Sequence, residues 1–70
     1  MNIARAIQII PHDAVITATC RPNYYGGAWV VWARYFVGTV EQIRPVTQFA
    51  EPFSAARWVN SWYSATKGTA

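Results

Sequence analysis

The chain has 70 residues, a formal net charge of +3, 53% hydrophobic residues and only 13% charged ones. This composition excludes disorder over most of the length, and the single cysteine, Cys20, excludes both an internal disulfide and a cysteine-based zinc site. No run approaches the ~18–20 apolar residues that span a bilayer, and no basic stretch followed by an apolar one marks a leader, so a single soluble domain in a reducing, cytoplasmic setting is expected.

Residues 3–10 read as a first strand, because Ile3, Ile7 and Ile9 share one parity. Pro11, His12 and Asp13 break it. Residues 14–20 are rich in β-branched types and form a second candidate strand. A loop follows over 21–27, where Pro22, Asn23, Gly26 and Gly27 supply turn chemistry around Tyr24 and Tyr25. Residues 28–37 are mostly β-branched and aromatic and make the clearest strand. Gly38 and Thr39 open a tight turn, and residues 41–49 return as the next strand. Pro45 has no amide hydrogen for a ladder, so that strand belongs at an edge or bulges there.

The period then changes. Phe53, Ala56, Val59 and Tyr63 repeat at helical spacing, with Ala55, Trp58 and Trp62 beside them, which predicts a helix over 54–66. Ser54 is the natural N-cap, Phe53 and Trp58 are spaced as a hydrophobic staple, and Lys67 and Gly68 suit the C-terminal end. If the helix packs on a sheet, at least one of Trp58 and Trp62 must be buried. The connections are too short for parallel crossovers. The expected architecture is α+β: an antiparallel three- or four-stranded meander with one C-terminal helix on one face.

The hairpin over 28–49 can pair in two ways. A two-residue turn sets Val37 opposite Val40 and puts Gln42, Arg44 and Gln48 on the face of Trp29, Val31 and Tyr35. A three-residue loop sets Val37 opposite Glu41 and Trp29 opposite Phe49. The second gathers the apolar groups on one side, and a one-residue slip scatters them, so it is preferred. The core face is then Trp29, Val31, Ala33, Tyr35, Val37, Ile43 and Phe49. The opposite face carries Val30, Trp32, Arg34, Phe36, Gln42, Arg44, Val46 and Gln48, with Arg34 facing Arg44. That face is too apolar for plain solvent and too polar for a second core. Its mixture of Trp, Phe, Arg and Gln is typical of binding surfaces. Partner-binding residues expected on this basis are Trp32, Arg34, Phe36 and Arg44, with Tyr24 and Tyr25 in the adjoining loop. The competing structural explanation covers the face with the N-terminal strand or with a second copy of the chain.

Catalytic chemistry is not legible. His12 and Asp13 are adjacent in a turn, where the Asp more simply bonds its own backbone. Cys20 reads as a buried strand cysteine. No second histidine is present for a metal cluster, and Gly26-Gly27 lacks the Lys-Ser/Thr of a phosphate loop. No catalytic residue, metal or cofactor is therefore expected. A single-stranded nucleic acid could stack on Trp32 and Phe36 beside Arg34 and Arg44, but the basic-Gly-aromatic-Gly start of the RNA-binding strand motif is missing and a charge of +3 is small.

The general design is short, Met-initiated, strongly aromatic and without catalytic residues, with three or four strands and a helix. In this it resembles the small phage-encoded inhibitors of the anti-CRISPR kind. The resemblance lies in the whole chain and in no specific motif. It implies a protein that docks on a larger bacterial defence complex and blocks nucleic-acid binding or nuclease recruitment. Many such inhibitors are acidic mimics of nucleic acid; the +3 charge departs from that pattern and leaves docking on a protein surface.

Overall fold

The computed structural model describes residues 1–21 and 28–67. Its elements are a short helix α1 (Ile3–Ile9), strands β1 (Val15–Arg21), β2 (Ala28–Val37) and β3 (Val40–Phe49), and a helix α2 (Pro52–Lys67). The three strands form one antiparallel sheet in the order β1-β2-β3. This is the expected α+β meander with a C-terminal helix, in its three-stranded form.

The first segment is a helix, not the strand expected over 3–10. The apolar positions Ile3, Ala6, Ile7 and Ile10 satisfy the i, i+3, i+4, i+7 spacing of a helix face as well as the alternation that suggested a strand. Capping resolves the tie. The Asn2 side chain accepts a hydrogen bond from the Arg5 amide at 2.9 Å. At the other end Ile10 turns extended, as the residue before a proline must, while its amide still bonds the Ala6 carbonyl. Ala6 and Ile10 join the core, and Ile9, which strand parity would bury, is exposed. His12 donates from Nε2 to the Ile7 carbonyl at 3.0 Å, so the turn also ties back onto the helix end.

The hairpin contains both registers considered from the sequence. Next to the turn Val37 pairs with Val40, Tyr35 with Gln42 and Ala33 with Arg44, so the turn has two residues and not the three preferred. Beyond an irregularity at Val31/Trp32 the pairs are Val31 with Thr47 and Trp29 with Phe49, the register that the apolar pattern demands. One extra residue, Val46, is absorbed next to Pro45, where a missing amide hydrogen already interrupts the ladder. Gly38 at φ +63° makes the tight turn possible, as the first central residue of a two-residue hairpin loop. The turn and the core thus each keep the pairing they favour, and the bulge reconciles them. β3 is an edge strand, the place allowed to Pro45.

Helix α2 begins at Pro52, whose fixed φ suits the first helical position, so Ser54 lies inside the first turn instead of capping it. Ala55, Trp58 and Trp62 are its buried residues, with Val59 and Tyr63 packed at the margin. Both tryptophans are therefore in the core, and their rings stack at 6.2 Å between centroids. At roughly 25 cal/mol per Å² over 150–250 Å², each buried indole contributes about 4–6 kcal/mol before conformational entropy is counted. Phe53 does not staple onto Trp58; it is 68% exposed, with the Arg57 guanidinium carbon 5.9 Å from its ring centroid. The Trp58 indole instead donates to the Met1 carbonyl at 3.0 Å, pinning the chain start to α2. Gly68 lies outside the described residues.

The core lies between the sheet and the two helices. It holds Ala6, Ile10, Ala14, Ile16, Val31, Ala33, Ala55, Trp58 and Trp62, with Trp29, Tyr35, Val46 and Phe49 packed against it. Val37 and Ile43, expected in this core, are exposed. Val37 lies at the hairpin tip, and the two-residue turn rotates Ile43 to the other side of the sheet.

Candidate protein-docking face

Both helices pack into one core on a single side of the sheet. The other side follows from strand parity. Val15, Thr17 and Thr19 of β1, Val30, Trp32, Arg34 and Phe36 of β2, and Glu41, Ile43, Pro45 and Gln48 of β3 share it. The register lines them up in rows across the strands: Val15–Arg34–Ile43, Thr17–Trp32–Pro45 and Thr19–Val30–Gln48. No described element lies across these rows, although in the last of them Val30 is itself buried. The N-terminal segment, one of the two expected covers, is instead the helix α1 on the opposite side.

Trp32 is held at the centre of this face. Its indole nitrogen donates to Thr19 Oγ1 at 2.8 Å, and the Arg21 guanidinium carbon lies 5.2 Å from its ring centroid. Arg34 Nε approaches Glu41 Oε2 at 3.7 Å, an exposed pair that adds little stability but fixes opposite charges side by side. Toward the turn the surface is apolar: Phe36 is 63% exposed, Ile43 58% and Val15 44%. Between these groups lies a depression of about 330 Å³ lined by Val15, Thr17, Thr19, Trp32, Arg34 and Ile43.

Of the residues expected to bind a partner, Trp32, Arg34 and Phe36 are brought together here. Arg44 is not. It pairs with Ala33 on the helix side of the sheet, and its Nη2 donates to Gln42 Oε1 at 3.1 Å. Gln42 moves with it, and Val46 turns to the core at the bulge. The cause is the two-residue turn, which inverts the parity of β3 up to Pro45. Tyr24 and Tyr25 lie outside the described residues. Ile43, Glu41, Arg21 and the β1 residues Val15, Thr17 and Thr19 belong to the face and were not anticipated. The alternation of Val15, Thr17 and Thr19 against Ile16 and Ala18 was the available signal for the last three.

Cys20, expected to be buried, is exposed. It has the inward parity of Ile16 and Ala18, but it lies near the end of an edge strand. His12 is engaged by Ile7 and meets Trp62 edge-on at 6.3 Å between ring centroids. Among the described residues no three of His, Cys, Asp and Glu gather into a metal-binding group, and no helix is long and apolar enough to cross a membrane. The fold and the open face together define a small two-layer α+β domain with one bare sheet surface. No protein family, curated protein or solved structure matches the chain.

Proposed function

We propose that this chain is a non-catalytic binding protein that docks a protein partner on the bare face of its sheet. The observation that carries the reading is the grouping of Trp32, Phe36 and Ile43 beside Arg34 on a surface that no described element covers. Aromatic and arginine side chains supply most of the energy at protein interfaces, and an apolar patch of this kind is uncommon on a surface that only meets water. Following the resemblance in design, the partner is a larger bacterial complex whose nucleic-acid binding or nuclease recruitment is blocked. Single-stranded nucleic acid is the less favoured ligand. A base-stacking platform needs free ring faces and free cations, whereas Trp32 lies against Arg21 and Arg34 lies beside Glu41.

The test is affinity capture from the host with and without nuclease, followed by binding measurements on substituted chains. Trp32→Ala and Arg34→Ala are each expected to weaken partner binding by more than about 1 kcal/mol while the fold persists. Val31→Ala, which empties part of the core, is expected to lower stability by roughly 1.5–3 kcal/mol. Full binding by both face variants would place the docking site elsewhere. Loss of capture after nuclease treatment, with a steep salt dependence, would favour the nucleic-acid reading.

A further inference from the structure

The same face raises the question of what lies on it when no partner is present. We propose that a second copy of the chain does: the free protein is a reversible homodimer joined through its bare sheet faces, and docking on a partner requires the dimer to open. This rests on the reading of that face as the docking surface.

Three observations carry it. The first is shape. The molecule is a plate, with extents of 34 × 28 × 15 Å, and its helices cover one side of the sheet only. Two plates joined by their sheets make four layers, helix–sheet–sheet–helix, with the sheets at the ordinary face-to-face spacing of about 10 Å. The second is area. Two strands of ten residues and one of seven, at ~3.3 Å per residue and ~4.8 Å between strands, give a face of roughly 430 Å² in plan. Allowing for side-chain relief, two such faces bury about 1,000 Å² together, the size of weak and transient associations. That size suits an association that forms at micromolar concentration and still gives way to a better partner. The third is charge. A two-fold interface meets its own surface, so it needs both signs on the same patch. Arg34 and Glu41 provide them side by side, and a two-fold axis between the faces can exchange this pair for two such pairs between copies. Phe36 and Ile43, next to that pair, supply the apolar contact.

Sedimentation equilibrium over a concentration series, in reductant so that exposed Cys20 forms no disulfide, reads the outcome. The expected mass rises reversibly from 7.9 kDa toward twice that value. Phe36→Glu and Ile43→Glu, both at exposed positions, are expected to hold the chain at the monomer mass with an unchanged circular dichroism spectrum. Phe53→Glu, on α2 on the far side of the plate, is expected to leave the dimer intact. If a glutamate variant fails to fold, Ile43→Thr keeps the β-branched shape and is expected to weaken association at least about tenfold, a difference of roughly 1.4 kcal/mol. A mass of 7.9 kDa across the whole series overturns the proposal, as does a dimer that survives the face substitutions or is broken only by Phe53→Glu. The partner is absent from this measurement, so its result stands apart from the capture experiment. A dimer with no captured protein would remove the docking reading, and a strict monomer that still captures one would remove the dimer.

Discussion

Tyr63 shows how one hydroxyl can finish a sheet edge. β1 is an edge strand, and the amide and carbonyl of Ile16 are both engaged by Tyr63 of α2. Tyr63 Oη accepts from the Ile16 amide at 3.0 Å and lies 3.3 Å from the Ile16 carbonyl, to which it donates. An edge strand otherwise presents these groups to any other chain. The ring of Tyr63 packs at the core margin while its tip does this work, and the Lys67 ammonium lies 5.1 Å from the ring centroid. Tyr63→Phe keeps the ring and removes both bonds. We expect a loss of about 1–2 kcal/mol in urea unfolding, with faster hydrogen exchange at the Ile16 amide. Unchanged exchange at that amide would show that water replaces the hydroxyl without penalty.

At the scale of elements, the β2–β3 hairpin is a compromise between its turn and its core. Gly38 has a positive φ, and among the described non-glycine residues none does. With Thr39 in an ordinary conformation, only the first central residue carries the strain, the pattern of the turn type that demands glycine there. A Cβ added at Gly38 would meet nothing within 4 Å, so any cost of Gly38→Ala comes from the backbone and not from a clash. We expect a loss of roughly 1–3 kcal/mol by denaturant unfolding, or a relaxed turn that shifts the pairing near it. The two outcomes separate by measurement: amide contacts between Val37 and Val40 persist in the first case and disappear in the second. No change in stability with the turn contacts intact would mean that the left-handed conformation is not required.

At the scale of the whole molecule, the short helix α1 completes the core. A chain of 70 residues buries a modest share of its surface, so each core position counts. Helix α1 supplies Ala6, the following Ile10 lies in the same cluster, and the Met1 carbonyl takes the Trp58 indole hydrogen. Without residues 1–10, α2 would lose its packing against α1 and Trp58 its hydrogen bond to Met1. Stability of about 0.05–0.15 kcal/mol per residue leaves little reserve against that loss. Deletion of residues 1–10 is therefore expected to abolish cooperative thermal unfolding and to shift tryptophan fluorescence to the red. A truncated chain that melts near the full-length temperature would show that α1 is dispensable.

Much of this arrangement was legible in the residues. β2 and α2 declare themselves because their patterns are long: seven of ten residues β-branched or aromatic in one case, a run of helical spacing through Trp58 and Trp62 in the other. Trp32, Arg34 and Phe36 share a face through the parity of one strand, which needs no knowledge of its neighbours. What alternation could not reveal was decided by contacts between elements. Ile3, Ile7 and Ile9 fit a strand and a helix alike, and only the Asn2 cap and the packing against α2 select the helix. Arg44 and Ile43 exchange faces because the turn and the apolar pattern demand registers one residue apart, and a bulge at Pro45 and Val46 satisfies both. Periodicity assumes an unbroken ladder. One inserted residue inverts every side chain between it and the turn, and where that residue goes is set by the energy of the assembled sheet and not by any one strand.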